Sequence, residues 1–213
     1  MNQMNKRGIL VVVSGFSGAG KGTLMKELLS RYDNYALSIS ATTRKPRVGE
    51  EDGVHYFFKS VPEFQQMIKE DAFIEHAQYV DNYYGTPKAY VEEQLNSGKD
   101  VILEIEIQGA LHVKQQRPDT LLLFVTPSSA GELVKRLNGR GTETQEQIQG
   151  RLQRAAEESE DMDKYDYIVI NDEIDTCVAN VHEIIQIQHA TSSHQVDFIA
   201  KIQDELKQEE FIR

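Results

Sequence analysis

The chain has 213 residues, 39% hydrophobic and 27% charged, which suits a single α/β domain of ordinary globular composition. Its formal net charge of −11 argues against non-specific binding to nucleic acid or to an anionic membrane, so neither is expected as a partner. A lone cysteine, Cys177, excludes an intrachain disulfide; with no signal-like N-terminus and no apolar run near the roughly 20 residues that span a bilayer, the expected setting is cytoplasmic.

In chain order, the apolar run over residues 9–13 reads as a buried strand. Gly15-Phe16-Ser17-Gly18-Ala19-Gly20-Lys21-Gly22-Thr23 follows, and a helical pattern with Leu24, Met25, Leu28 and Leu29 begins near Lys21. Strand, glycine-rich turn and helix are the context of a phosphate-binding loop. The glycines let successive N–H groups point inward, and the helix N-terminus adds partial positive charge. Lys21 would reach the β- and γ-phosphates of a nucleoside triphosphate. The usual pattern places Ser or Thr directly after the lysine. Here Gly22 intervenes, so magnesium would lean on Thr23, on water or on other residues.

Residues 35–39 read as a second strand. Ser40-Ala41-Thr42-Thr43-Arg44-Lys45-Pro46-Arg47-Val48-Gly49-Glu50 is polar and basic, hydroxyl-rich and broken by proline, which suits an anion-gripping loop as well as a solvated one. A strand candidate at 54–58 leads to Ser60, an N-cap before a helix over 61–69. Residues 73–80 read as a strand with Glu75 in an apolar setting. Asn82-Tyr83-Tyr84-Gly85-Thr86 reads as a turn, and Pro87 as the first position of a helix that closes at Gly98.

Residues 101–107 read as a central parallel strand with Glu104 and Glu106 toward its C-terminal end, where open α/β sheets bind ligands. Alternate strand residues face opposite sides, so both carboxylates reach one ligand only if the strand ends or twists between them. Another strand spans 121–125, followed by a helix to about 137. The glycine-punctuated segment from Arg136 through Arg140 to Glu143 then leads into a polar helix over 144–163 that carries Arg151 and Arg154. This arrangement suits a lid over phosphate as well as a solvated face. Thr142 and Glu143 read as the N-cap and first-turn acid of that helix. Residues 167–170 supply a last strand with Asn171 at its end, and a helix over 174–189 carries Cys177 as a packing residue. In the tail over 191–213, Ile199, Ile202 and Leu206 form one apolar stripe on a charged helix, which could pack back on the domain or associate with a second copy. The six histidines show no metal-ligand spacing, and no residue is assigned as a metal ligand.

Alternating strands and helices imply a parallel sheet flanked by helices, with residues 40–90 as an inserted, partly antiparallel subdomain. Together these segments resemble the guanylate kinase family of nucleoside monophosphate kinases, bacterial type, over roughly residues 7–188. The loop from Gly15 to Thr23 is similar to the family's phosphate loop, although Phe16 stands where proline is common. Ser40 to Arg47 matches its S-x-T-T-R-x-P-R segment at every fixed position. Phe73-Ile74-Glu75 and Asn82 to Thr86 resemble the acceptor stretches, Arg140-Gly141-Thr142-Glu143-Thr144 the lid signature, and Ile168-Val169-Ile170-Asn171-Asp172 the segment near adenine.

The resemblance implies a P-loop nucleoside monophosphate kinase fold with a GMP-binding insertion at about 40–90, a helical lid at about 136–162 and a helical extension over 191–213. It implies ATP as donor with Mg2+, GMP as acceptor, and a place in purine nucleotide metabolism and GTP supply. Arg44 and Arg47 with Tyr56 and Tyr84 would hold the GMP phosphate; Ser40, Glu75, Thr86 and Glu106 would surround the guanine. Glu104 would lie near the phosphates and metal, Arg136, Arg140 and Arg151 would serve as lid arginines, and Asn171 would approach the adenine. The family commonly has aspartate where Glu106 stands. Other readings are a kinase of a different acceptor, a non-catalytic scaffold module and a GTPase-like switch. The intact Lys21 and lid arginines disfavour the module, and the missing guanine motifs of the switch class disfavour the last.

Overall fold

The computed structural model describes residues 7–79, 81–139 and 144–207. β1 (Leu10–Gly15) enters the glycine-rich loop and α1 (Lys21–Arg31), followed by β2 (Tyr35–Leu37), β3 (Ala41–Thr42), β4 (Phe57–Phe58) and α2 (Val61–Lys69). Next come β5 (Phe73–Tyr79), β6 (Asn82–Pro87), α3 (Lys88–Asn96), β7 (Asp100–Glu104), α4 (Ile107–Gln116) and β8 (Leu121–Thr126). The chain continues through α5 (Ala130–Asn138), α6 (Gln145–Ser159), β9 (Tyr167–Ile170), α7 (Ile174–Gln188) and α8 (Val196–Lys207), with short 3-10 turns at Met162–Lys164 and Ser192–His194.

The larger sheet has the order β2-β7-β1-β8-β9, and every pairing in it is parallel. Helices cover both faces of such a sheet, so its central strands read as unbroken apolar runs. Val11, Val12 and Val13 of β1 and Leu122, Leu123, Phe124 and Val125 of β8 are sealed from solvent. The C-terminal ends of β1, β7 and β9 therefore deliver the glycine loop, Glu104 and Asn171 to one edge of the sheet.

The smaller sheet has the order β4-β3-β6-β5, with β5 and β6 forming an antiparallel hairpin. Its own core is only Ala41, Phe64 and Phe73, with Phe57, Met67, Ile68 and Tyr83 partly buried around it. Phe64 stacks on Phe73 and Tyr83 at centroid distances of 4.4 and 5.4 Å. α2 starts where expected because Ser60 and Glu63 form a reciprocal capping box.

Several expectations are corrected. The stretch expected as a turn, Asn82 to Thr86, is strand β6: Tyr83, Tyr84 and Thr86 are good strand formers, and Gly85 sits where a Cβ would come within 3.0 Å of β5. The single strand expected over 101–107 stops at Glu104, and α4, which the apolar pattern hid, begins at Ile107 with Glu106 at its N-cap. That break removes the conflict of alternate faces. β2 stops at Leu37, and only Phe57 and Phe58 of the 54–58 candidate pair as strand. Pro87 precedes α3 as its N-cap, and α6 ends at Ser159 rather than 163. The N-cap of α6 is Thr144, boxed with Gln147, and not Thr142; Thr142, Glu143 and Arg140 lie outside the described residues. Cys177 is buried in α7, and burial raises its thiol to about 11, as an inert packing residue requires. On α8, Val196, Phe198, Ile199, Ile202 and Leu206 are all exposed.

Candidate active site

The glycine-rich loop, expected to hold the donor phosphates, is built by backbone. Gly20 closes the loop at φ +90 as the N-cap of α1, and a Cβ there would lie 2.7 Å from Asn171 Nδ2. Gly15 has φ +140 and packs directly against the Val125 backbone of β8, so a side chain has no room there. Phe16 is buried in the core, edge-on to Phe124 at 5.0 Å, and so anchors the loop from below. Lys21 donates from Nζ to the carbonyls of Gly15 at 2.7 Å and Phe16 at 3.3 Å, which holds its charge at the mouth of the loop. Gly22 and Thr23 lie exposed in the first turn of α1, and a Cβ at Gly22 meets nothing within 4 Å.

Asn171, expected near the adenine, is buried at the end of β9, and its Nδ2 donates to the Ala19 carbonyl at 2.8 Å. Arg136 on α5 reaches the same carbonyl from Nη1 at 3.4 Å; it also pairs with Glu132 at 3.0 Å and Asp172 at 3.7 Å. Arg151 on α6 donates to Ser17 Oγ at 3.0 Å. Two arginines from different helices thus converge on the loop, at Ala19 and Ser17. Gly18 completes the loop at φ +94.

A cavity of about 460 Å³ opens here, lined by Gly15, Ser17, Lys21, Glu104, Glu106 and Arg151 among others. Glu106 also lines a second recess of about 390 Å³ with Glu75, Gly109 and His112. Glu106 therefore stands between the two spaces, and Arg154 of α6 pairs with its Oε2 at 3.1 Å. Both partners are more than half exposed, so the pair contributes little to stability.

On the acceptor side, Glu75 receives the Thr86 hydroxyl on Oε1 at 2.7 Å. Burial raises its carboxyl above the usual range; the Thr86 hydrogen bond opposes this, and the nearby Glu106 charge adds to it. The hairpin register shifts between Phe73 and His76, a two-for-one bulge opposite Thr86. That bulge lets Phe73 and Ile74 both be buried while Glu75 faces the recess. Arg44 lies 5.3 Å over the Tyr56 ring, and Tyr56 meets Tyr84 edge-on at 6.4 Å. Arg47 is exposed beside them, and half-buried Ser40 accepts the Phe57 N–H on its carbonyl at 2.9 Å.

Phosphate loop, converging arginines and a carboxylate recess all agree with one further finding: a family model for guanylate kinase matches residues 7–188. The chain belongs to the guanylate kinase family. A guanylate kinase of Caldanaerobacter subterraneus subsp. tengcongensis is 48% identical over 202 residues, covering 95% of this chain and 98% of that one. One from Desulfitobacterium hafniense is 54% identical over 178 residues, covering 84% and 89%. A crystal structure of guanylate kinase from Anaplasma phagocytophilum matches with a TM-score of 0.69 at 27% identity, over 88% of this chain and 89% of that one. As a member of the guanylate kinase family the chain is a phosphotransferase of the nucleoside monophosphate kinase type with ATP as donor. None of its helices among the described residues is long and apolar enough to cross a membrane.

Two contacts beside these residues have little local signal in the sequence. Glu50 grips Arg44 and the Arg47 backbone; its only sequence signal is an acid three and six residues after the two arginines. Arg154 is visible as a helix arginine, but its partner Glu106 lies 48 residues away.

Proposed function

We propose that the protein transfers the γ-phosphoryl group of ATP to GMP, giving ADP and GDP, in the division of labour set out above. The observation that carries this reading is the junction at Glu106 of the cavity holding Lys21 and Arg151 with a recess holding the half-buried Glu75. Phosphoryl transfer asks for alignment and charge neutralisation rather than covalent chemistry. Lys21 and the glycine loop would hold the donor phosphates, while Arg44 and Arg47 with Tyr56 and Tyr84 would hold the acceptor phosphate. Arg136 and Arg151, with Arg140 outside the described residues, would form the lid group that meets charge on the transferring oxygens. No general base is needed, because the acceptor oxygen is already ionised.

Guanine presents an N1–H and an amine on one edge, and the Glu75 carboxylate can accept from both. Adenine has a lone pair at N1, so it would leave the buried carboxylate unsatisfied. Ser40, Thr86 and Glu106 would complete the base pocket. Asn171 supports the donor side through Ala19, one step removed from an adenine contact.

Mg2+ would arrive with ATP. Among the described residues no group of three or more His, Cys, Asp or Glu could cage a metal, so phosphate oxygens and water would supply most of its shell. Glu104 lines the cradle and Thr23 stands in the first turn of α1; these are the protein oxygens that fit the ion's preference. Mg2+ held there would supply charge neutralisation for the donor phosphates. The buried single cysteine supports a reducing, cytoplasmic setting.

A coupled ADP-release assay with Mg-ATP tests the reading: GMP should be turned over well and AMP or UMP poorly. ADP release with GMP no higher than the no-acceptor blank would sink it. The apolar stripe of α8 supports self-association, which light scattering on protein ending at His189 would check; an unchanged mass would remove the idea.

A further inference from the structure

Glu50 takes three donors at once. Its Oε1 accepts from Arg44 Nη2 at 2.8 Å and its Oε2 from Nη1 at 2.9 Å, a planar fork meeting a carboxylate edge. The same Oε2 accepts the Arg47 backbone N–H at 2.7 Å. One carboxylate therefore fixes the guanidinium of one arginine and the main chain of the other. The Lys45 carbonyl takes Arg44 Nη1 at 2.8 Å, and the Tyr56 and Phe58 rings lie 5.3 and 6.0 Å from the guanidinium.

These partners occupy the outer edge of the Arg44 fork. Its other edge, Nε–H with the second Nη2 hydrogen, is not used by any of them. The guanidinium also interacts with the Tyr84 hydroxyl, which together with Glu50 holds its proton more tightly than usual. The pair is largely shielded, with the two side chains 15% and 18% exposed. Three hydrogen bonds hold the Glu50 carboxyl down at about 2, so it is a full anion across neutral pH.

We propose that Glu50 is a positioning residue for the acceptor phosphate, holding Arg44 and Arg47 in a preformed cradle before GMP arrives. An unheld arginine carries large rotamer entropy, which binding would otherwise have to overcome for each side chain it orders. Glu50 removes that cost in advance, and the edge of Arg44 beside the Tyr84 hydroxyl would complete the phosphate site with Arg47 and Tyr56. The inference rests on Arg44 and Arg47 holding the GMP phosphate, as proposed above.

Steady-state kinetics on Glu50→Gln, Glu50→Ala, Arg44→Ala and the double variant Arg44→Ala/Glu50→Ala test it. Gln keeps the shape of the side chain but turns one oxygen into an NH2 that faces the Arg44 donors. Both Glu50 variants should raise the KM for GMP about tenfold, leave the KM for ATP unchanged and lower kcat by less than the KM rises. The gap between wild type and Glu50→Gln should be constant across neutral pH, because the group that is lost does not titrate there. The double variant should be worse than Arg44→Ala by less than Glu50→Ala costs the wild type, because only the Arg47 contact is then left to lose. Far-UV circular dichroism on Glu50→Gln separates these effects from misfolding. A wild-type KM for GMP in a folded Glu50→Gln would overturn the proposal, as would a lowered one, which would make Glu50 a mask. Equal rises for both substrates, or strict additivity in the double variant, would overturn it too. If Arg44→Ala itself left the KM for GMP unchanged, the acceptor assignment would fall and take the positioning role with it.

Discussion

The donor and acceptor sides of the cleft are made by different means. The glycine loop is held by main chain and core: Gly15 lies on the Val125 backbone, Phe16 is buried against Phe124, and Asn171 pins the Ala19 carbonyl. All of this hangs on β1, β8 and β9 of the parallel sheet. The acceptor side hangs on a small sheet whose core is three residues, and its chemistry rests on side-chain pairs, Arg44 with Glu50 and Thr86 with Glu75. On the proposed assignment, donor binding would be bound up with the fold, whereas acceptor choice would reside in a few polar contacts that can change without unfolding the protein.

That contrast can be broken in order of expected effect. Lys21→Ala should cut kcat by about a thousandfold or more while far-UV circular dichroism stays unchanged, since a charge is removed from an otherwise intact loop. Retained wild-type turnover would show that the loop does not hold the donor. Glu75→Gln should lower the ratio of kcat/KM for GMP over AMP by about a hundredfold, because the amide presents a donor to guanine N1–H. An unchanged ratio in competition assays would clear Glu75 of base selection.

The same substitution should raise the melting temperature at neutral pH. The folded-state pKa of Glu75 lies above its unfolded value, so native protein binds the proton more tightly, and its stability falls as pH rises through the raised value. Gln removes that penalty, and the advantage should vanish below the ordinary glutamate pKa. In the wild type, the KM for GMP should rise as pH falls through the raised value, because the protonated carboxyl no longer accepts from both guanine donors. A variant that melts lower at neutral pH, or a flat KM profile, would contradict the burial argument.

Asn171→Ala should raise the KM for ATP about tenfold and leave that for GMP alone, since it removes the shorter of two donors to the Ala19 carbonyl, on the donor side only. Equal shifts for both substrates would erase the separation of the two sides. Smallest is Ser60→Ala, which removes the α2 cap in the acceptor subdomain and should cost about 1 kcal/mol, a few degrees of melting temperature, with no change in donor affinity. Differential scanning calorimetry alongside ATP titration reads both quantities.

The donor motif was legible because it is contiguous: strand, loop, lysine and helix sit within one short stretch of chain. The lid arginines and Asn171 were also legible as positions, but Asn171's partner Ala19 lies 152 residues away and no local pattern announces it. α4 was hidden because the apolar run continues through the strand end and Glu106 makes no side-chain cap. β6 was misread because Asn82 and Gly85 carry turn signals, and the tertiary pairing with β5 overrode them. Glu50 was overlooked because an acid in a basic loop looks like ordinary solvated charge until the fold closes it on Arg44.

The bulge in β5 gives specificity a length as well as a composition. Ile74 and Glu75 share the interval across from Thr86, between the pairs Phe73 with Pro87 and His76 with Gly85. Slipping the pairing of β5 by one residue would carry Glu75 away from the face it shares with Thr86, although no residue had been replaced. Transplanting the acceptor hairpin into another kinase therefore demands that its residue count travel with its sequence. A graft correct in every letter but one position out of step would present the base with the wrong side of the strand.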